Sequence, residues 1–264
     1  DANGNLAKQS HFRGNDKFKE TLFSWDEEDR LTSLRFKNLD IQQQSVTGKD
    51  EVKDTFVSNE YDDSGARIRK SFLYGNDLQK STTFIRKGLS VVEEYEGVAG
   101  PQLKRVYAGG VLRFDPGTGK KHFYAKDALG STSLVMDEVG GVEARYKADA
   151  FGSEEYSEEK AGFSEETKRF TGKEMDTESG LQYFGARYYD PFVGRWTGRD
   201  RIKGMLSKPN TLNRYLYCLN NPFRFIDFNG LELKKLDQTT YGKDPNTFDN
   251  SFHIEKDAYG DFVA

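Results

Sequence analysis

The sequence predicts an all-β protein built from repeated antiparallel hairpins, and three observations predict it. A short turn-forming unit recurs along the chain, stretches rich in strand-forming residues flank it, and helical periodicity is weak throughout. The chain is also rich in aromatic and turn-forming residues, with 20 Phe, 14 Tyr and 26 Gly in 264 residues. Because each hairpin can bury a face only against its neighbours, the pattern favours a repeat architecture.

The recurring unit reads aromatic residue, Asp, two spacers and Gly, followed by alternating polar and apolar residues. Tyr61-Asp62-Asp63-Ser64-Gly65-Ala66-Arg67-Ile68 is the clearest copy, and Trp25-Asp26-Glu27-Glu28-Asp29 has an aspartate in place of the glycine. An Asp side chain can cap its own backbone in a type I turn, and Gly tolerates the left-handed residue that follows. The unit therefore predicts hairpin connections. Further copies lie at residues 1–6, 124–130 and 135–142.

Strand-forming residues lie between these turns, for example at residues 55–58, 82–86 and 89–92. An ordinary β-sandwich with Asp-Gly turns would show the same chemistry, so the turn residues alone leave that alternative open. The acidic stretch at residues 154–160 is interpreted as a solvated loop, because charge runs usually are.

Composition excludes several classes of protein. The net charge of −4, with acids and bases interspersed, gives no general basic footprint for nucleic acid. No run approaches the ~18 apolar residues of a membrane-spanning helix. Cys218 is the single cysteine, so an intrachain disulfide framework and a multi-cysteine zinc site are excluded. Because His11, His122 and His253 lack metal-ligand spacing, we expect no metal and no other cofactor.

More specific motifs lie in the C-terminal half of the chain. They include Asp127-Ala128-Leu129-Gly130-Ser131-Thr132, Arg169-Phe170-Thr171-Gly172-Lys173-Glu174, Ala186-Arg187-Tyr188-Tyr189-Asp190-Pro191, Gly194-Arg195-Trp196, Asn220-Asn221-Pro222 and Asp227-Phe228-Asn229-Gly230-Leu231. Over residues 122–231 these motifs resemble the Rhs-associated core segment nearly residue by residue. Residues 1–121 resemble the YD repeat of the same Rhs/YD-repeat family, which includes the C component of bacterial ABC toxins and the teneurins.

The resemblance implies a strip of antiparallel β-sheet that spirals into a hollow shell, closed at one end by the core segment. It divides the chain into repeat sheet at residues 1–160, core segment at 161–231, and a variable tail or start of cargo at 232–264. The toxin members of the family hold a C-terminal effector inside the shell. The expected partners are therefore that effector, the rest of the shell and a secretion or injection component, and the expected location is extracellular or at the cell surface. Because the first turn unit lacks its aromatic residue, we also expect the chain to be a fragment of a longer array.

The resemblance further implies self-cleavage. The family's core segment ends in a D-P-x-G-L signature, after which the chain cuts itself with a pair of aspartates. The matching aspartates are Asp200 and Asp227, and the bond at risk joins Leu231 to Glu232. Two close carboxylates can share a proton, so that one acts as base on water while the other donates to the carbonyl. Arg199 is expected to hold a carboxylate charged or to orient the carbonyl.

Two features depart from the family's pattern. Arg201 and Phe228 replace the prolines that usually follow the two aspartates, so the chain lacks a fixed φ that would aim the cleavable strand. More residues than usual separate Asp200 from Asn213. Two alternatives stay open: the aspartates are ordinary turn residues, or the chain is a cell-surface adhesion module without cleavage.

Cations next to aromatic residues, at 187–189 and 195–196, allow an alternative in which the rings stack on nucleic-acid bases. Their place in the core motif instead favours inward packing of the rings with arginine stacked on them, so we expect no nucleic-acid partner. Cys218 is interpreted as a small buried residue and not as a nucleophile.

Overall fold

A computed structural model of the chain describes residues 1–13, 16–38 and 54–236. Thirteen strands form one antiparallel sheet in which each strand pairs with its neighbours in the sequence. They are β1 (Lys8–Arg13), β2 (Asp16–Trp25), β3 (Leu31–Asn38), β4 (Thr55–Tyr61), β5 (Arg67–Tyr74), β6 (Asp77–Lys87), β7 (Ser90–Glu96), β8 (Gln102–Ala108), β9 (Leu112–Asp115), β10 (Lys120–Lys126), β11 (Thr132–Met136), β12 (Val142–Ala148) and β13 (Glu154–Glu159). The prediction of an all-β fold of antiparallel hairpins is confirmed, and the sheet is open.

Six short strands follow in two smaller sheets. Four strands form the first sheet, namely β14 (Glu174–Asp176), β15 (Leu181–Tyr183), β16 (Tyr188–Asp190) and β17 (Arg195–Trp196). The second sheet is a hairpin of β18 (Phe225–Asp227) and β19 (Leu233–Lys235). Three short 3₁₀ helices, at Phe170–Gly172, Pro209–Leu212 and Cys218–Asn220, accompany these strands.

The aspartate turns have the conformation that the sequence predicts. In the turn after β4, the Asp62 carboxylate accepts the N–H groups of Ser64 at 2.9 Å and of Ala66 at 3.0 Å, and Gly65 has φ of +82°. The same pair of hydrogen bonds forms in five other turns, whose aspartates are Asp1, Asp26, Asp127, Asp137 and Asp149. The left-handed position holds Asp29 in the turn after β2, at φ of +59°. Local chemistry therefore sets each of these connections.

The chain divides into two compact units. The first comprises Asp1–Ile85 and Glu94–Leu103, and the second comprises Arg86–Glu93 and the chain from Lys104 onward. In the first unit, Leu34 of β3 and Val57 of β4 lie directly opposite each other on the paired strands. Both side chains are fully buried. Arg67 is also fully buried, with its guanidinium 5.1 Å from the ring centroid of Phe84. Burial of these strand side chains, one of which is the Arg67 cation stacked on a ring, stabilises this unit.

Residues 154–159 form a strand, so the interpretation of this acidic stretch as a loop is wrong. All six residues of β13 are exposed, as the charge pattern indicated. Strand pairing with β12 and ion pairs across it hold the segment, including Lys147 with Glu155 at 2.8 Å and Arg145 with Glu158 at 3.2 Å. Backbone pairing thus forms this strand without an apolar face.

A buried ionic cluster in the second unit joins the large sheet to the segment that follows it. The Arg113 guanidinium pairs with Glu166 at 2.8 Å and with Asp115 at 3.0 Å, and neither Arg113 nor Glu166 is exposed. His122 lies between Asp115 at 3.2 Å and Glu143 at 2.5 Å. Because buried charges are tolerated only when paired, these contacts fix residues 164–166 against β9 and β10.

Rings fill the core around the small four-stranded sheet. The buried cluster contains Phe170, Phe184, Tyr189, Trp196, Tyr217 and Cys218. The ring centroids of Tyr189 and Tyr217 are 4.5 Å apart, and those of Phe184 and Trp196 are 5.1 Å apart in an edge-to-face arrangement. The predicted inward packing of the aromatic residues, and the buried position of Cys218, are confirmed.

Candidate functional site

The bond between Leu231 and Glu232 lies in the loop of the β18–β19 hairpin. Asp227 is the last residue of β18 and pairs with Leu233, the first residue of β19. Residues 228–232 therefore form a loop that Asp227 closes at its base. The sequence-predicted bond and one sequence-predicted aspartate thus belong to the same tight element.

Asp227 is a buried carboxyl group in which one oxygen accepts two hydrogen bonds and the other accepts none from the described residues. Its Oδ1 accepts the N–H groups of Gly230 at 2.7 Å and of Asn229 at 3.2 Å, and the residue is 1% exposed. Its Oδ2 has no hydrogen-bond donor among the described residues. Burial raises the pKa of Asp227 to about 6, against the lowering effect of Arg187 and of the two backbone donors. With this pKa, about a tenth of the carboxyl is protonated at pH 7.

Arg187 connects the two aspartates. It directly precedes β16, and its Nη2 lies 2.9 Å from Asp200 Oδ2 and 3.6 Å from Asp227 Oδ2. Its Nε donates to the carbonyl oxygen of Gly230, and its guanidinium carbon lies 4.2 Å from the ring centroid of Trp196. Burial lowers the pKa of Arg187 below its ordinary value, although both aspartates oppose the shift. The side chain of Arg187 is thus stacked on a ring, paired with two aspartates and hydrogen-bonded to the loop at residues 228–232.

Asp200 lies on the loop that follows β17, at the edge of the site. Its side chain is 21% exposed, so water can reach it. Its Oδ1 accepts the N–H of Ile202 at 2.8 Å, and its own N–H donates to Arg214 O at 2.9 Å. The structure therefore brings both predicted aspartates to one guanidinium, one of them buried and one in contact with solvent.

Arg199 is not the arginine that pairs with the two aspartates. It is half-buried, and in the described part of the chain its guanidinium forms no ion pair with Asp200 or Asp227. Arg187 makes these contacts instead. The stacking of Arg187 on an aromatic ring was predicted, but its ion pairs were not. A physical argument could have predicted the ion pairs of Arg187, because an arginine buried among aromatic rings needs carboxylate partners.

The missing proline after Asp227 is compensated by side-chain hydrogen bonds. Phe228 is followed by Asn229, whose Oδ1 accepts the N–H groups of Leu231 and of Glu232, both at 3.0 Å. Together with the bonds to Asp227, these contacts take up the four successive N–H groups from residue 229 to residue 232. The loop is thus fixed without the restricted φ of a proline.

Other chemistry at this site is limited. Burial raises the pKa of the Cys218 thiol well above its ordinary value, and Asp227 adds to the shift, so the thiol stays protonated. Among the described residues, no group of three or more His, Cys, Asp and Glu side chains is arranged to hold a metal ion. The arrangement offers two carboxyl groups in different environments, which is the requirement for acid–base cleavage of a peptide bond.

Several curated relatives of this chain are bacterial toxin components. It is 31% identical over 234 residues to the tRNA3(Ser)-specific nuclease WapA of Bacillus spizizenii, an alignment that covers 87% of this chain and 9% of WapA. It is 40% identical over 81 residues to toxin subunit YenC2 of Yersinia entomophaga, covering 30% of this chain and 8% of that subunit. No protein-family model matches the chain.

The fold is similar to that of a Tc toxin. A structure of the Photorhabdus luminescens Tc holotoxin pore superposes with a TM-score of 0.58 at 18% identity, covering 90% of this chain and 11% of the matched chain. The chain therefore spans about a tenth of the length of the proteins it matches. In the part of the chain that the structure describes, no helix is long and apolar enough to cross a membrane.

Proposed function

Because the chain belongs to the Rhs/YD-repeat family, we propose that it forms part of a shell that encloses and delivers a C-terminal toxin effector. Residues 1–160 supply repeat sheet to the wall, and residues 161–231 form the core segment that closes it. Residues 232–264 are the variable tail or the start of the effector. The carrier acts outside the cell or at its surface, together with a secretion or injection component.

We further propose that the chain cuts itself between Leu231 and Glu232. Asp200, in contact with solvent and paired with Arg187, takes a proton from water as the water attacks the carbonyl carbon of Leu231. Asp227, protonated in part because burial raises its pKa to about 6, donates a proton toward the leaving side of the bond. The products are a carboxyl group on Leu231 and an amine on Glu232, so one water molecule is consumed.

One observation carries this proposal. A buried aspartate with an oxygen that has no hydrogen-bond donor closes the loop that contains the bond, and an arginine joins that aspartate to a second one. An aspartate with a purely structural role in a turn uses its carboxylate to cap backbone N–H groups and stays partly accessible to solvent, as Asp62 does. Burial of an incompletely paired carboxyl is costly and is typical of functional sites.

Mass spectrometry of the purified chain tests the cleavage. We expect fragments that end at Leu231 and begin at Glu232, and we expect Asp227→Asn and Asp200→Asn each to leave the chain intact. Asp149→Asn is the matched control, because Asp149 caps a turn in the same unit without contacting the site. A parent chain that stays intact from residue 1 to 264 would exclude self-cleavage and favour the surface module without it.

A further inference from the structure

We propose that Asn229 is the residue that selects which peptide bond is cut. This inference rests on the proposed self-cleavage and adds a positioning residue to it. Asn229 occupies the unspecified position of the D-P-x-G-L signature and was not among the site residues predicted from the sequence.

The side chain of Asn229 holds the nitrogen of the bond that we expect to break. Its Oδ1 accepts the N–H of Glu232 at 3.0 Å, and that nitrogen becomes the leaving amine. The same oxygen accepts the N–H of Leu231 at 3.0 Å. Two successive peptide groups, on either side of Leu231, are therefore oriented by a single amide oxygen.

Asn229 is itself held from both ends. Its N–H donates to Asp227 Oδ1 at 3.2 Å, and its carbonyl oxygen accepts the N–H of Ala186 at 2.9 Å. Ala186 directly precedes Arg187, which donates to the carbonyl oxygen of Gly230. The backbone of Asn229 is thus fixed to the same two elements that carry the candidate catalytic groups.

Fixing an N–H also fixes the carbonyl of the same peptide group. A peptide group is planar and trans, so its C=O points opposite to its N–H. With the Glu232 N–H directed at Asn229, the carbonyl of Leu231 has one orientation relative to Asp227 and Arg187. Orientation of this kind accounts for a large share of the rate of a reaction within one molecule, and an error of about 1 Å can cost about 100-fold.

The test compares two substitutions of similar size. Asn229→Leu removes the acceptor, and Asn229→Asp keeps one. We expect Asn229→Leu to lower the first-order cleavage rate about 10- to 100-fold and to produce cuts at neighbouring bonds. Asn229→Asp should keep the cut after Leu231 at a rate close to that of the parent chain. A purely structural role would not predict this rescue or a change in the position of the cut.

Asn213→Leu is the matched control. Asn213 makes a similar side-chain to backbone hydrogen bond in another loop, where its Oδ1 accepts the N–H of Tyr215 at 3.2 Å. We expect this variant to cut at the parental rate and position. Asn229→Ala serves as the second variant if Asn229→Leu does not fold, and thermal melts of chains kept intact by Asp227→Asn report folding in each case.

The outcomes separate this inference from the function on which it depends. A parent chain that cuts after Leu231, together with a folded Asn229→Leu or Asn229→Ala chain that cuts at the same bond and rate, overturns the role of Asn229 alone. A parent chain that never cuts overturns both proposals.

Discussion

Two arginines of the second unit, Arg113 and Arg187, have the same kinds of partners but different surroundings. Arg113 pairs with Glu166 and Asp115 beneath the ring of Phe163, whose centroid lies 5.2 Å from the guanidinium carbon. Arg187 pairs with two aspartates beneath the ring of Trp196. Each arrangement therefore consists of one cation, two carboxyl groups and one aromatic face.

The difference lies in how completely the most deeply buried carboxyl group of each cluster, Glu166 or Asp227, is satisfied. Glu166 accepts hydrogen bonds from Arg113 at 2.8 Å, Tyr124 at 2.6 Å and the N–H of Lys168 at 2.7 Å. Burial lowers the pKa of Arg113, but Glu166 and the other acidic neighbours outweigh it and leave the pKa above its ordinary value. Around Arg187 the effect of burial outweighs that of Asp200 and Asp227, so the pKa of Arg187 lies below its ordinary value.

The two clusters show how a structural ion cluster differs from a candidate reactive one. In the cluster around Arg113, Glu166 has donors on both oxygens, and Asp115 Oδ1, which has no hydrogen-bond donor, lies 3.0 Å from Arg113 Nε. A cluster paired in this way holds segments together. The cluster around Arg187 retains a carboxyl oxygen without a hydrogen-bond donor, next to the backbone that we expect to be cut. What distinguishes the candidate site is that Asp227 Oδ2 lies 3.6 Å from its cation and that Asp227 is at the base of the loop that we expect to be cut.

The largest expected effect is on the cluster around Arg113. Arg113→Met leaves two buried carboxyl groups without their cation, so we expect a loss of about 3–5 kcal/mol in the free energy of unfolding, measured by urea titration. Lys121→Met is the control, because Lys121 and Glu138 form an exposed pair at 3.5 Å, and its loss should cost less than ~1 kcal/mol. Equal costs for the two variants would contradict the structural role of Arg113.

Substitution of Arg187 should act on the reaction instead. Arg187→Gln removes the cation that joins the two aspartates, and we expect the cleavage rate to fall at least about 100-fold. The rate is measured by mass spectrometry of timed samples. Arg199→Gln tests the original sequence prediction and should leave the rate unchanged. The reverse ranking would restore Arg199 as the functional arginine.

Stability should depend on pH through Asp227. Its pKa in the folded chain is about 6, above the ordinary value of 3.8, so the folded state binds more protons between these values. Stability therefore falls as the pH rises from about 4 to about 6, by at most about 3 kcal/mol. Asp227→Asn cannot ionise and should be more stable than its parent at pH 7.5 but not at pH 4.

Thermal and urea unfolding measure this difference in chains kept intact by Asp200→Asn. A stability advantage of Asp227→Asn that is the same at both pH values would show that Asp227 does not titrate in this range.

The smallest expected effect concerns Gly230, in the loop at residues 228–232. Gly230 has φ of +79°, and an added Cβ would lie 3.0 Å from the Arg187 backbone nitrogen. We expect Gly230→Ala to cost about 2 kcal/mol and Gly162→Ala about 1 kcal/mol, because Gly162 has a similar φ of +80° with open space around it. Thermal unfolding compares them, and equal costs would mean that the loop yields to the added methyl group.

The hairpin turns could be predicted because their chemistry is local. Asp62 and Gly65 lie three residues apart, and the hydrogen bonds that they make stay within the turn. The two aspartates and the bond near the site were also identifiable, through their resemblance to a known motif. Whether they meet at a reactive site remains a prediction until cleavage is measured.

What could not be predicted depends on partners that are distant in the sequence. The strand β13 has no apolar face, so its pattern resembles that of a loop, and only its pairing with β12 makes it a strand. Arg199 adjoins Asp200 in the sequence, whereas Arg187 reaches the same carboxylate through the fold. Adjacency along the chain was a poor guide to which cation forms the ion pair.

The position of the bond within the β18–β19 hairpin has a consequence for the piece of chain that follows it. A cut after Leu231 would leave β19 still paired with β18 over three residues, with Leu236 buried and its N–H bonded to Arg224 O at 2.7 Å. Breaking the covalent bond and losing the downstream piece would therefore be separate events. The first event would be a chemical step. The second would require β19 to separate from β18, and a pairing of three residues is weak.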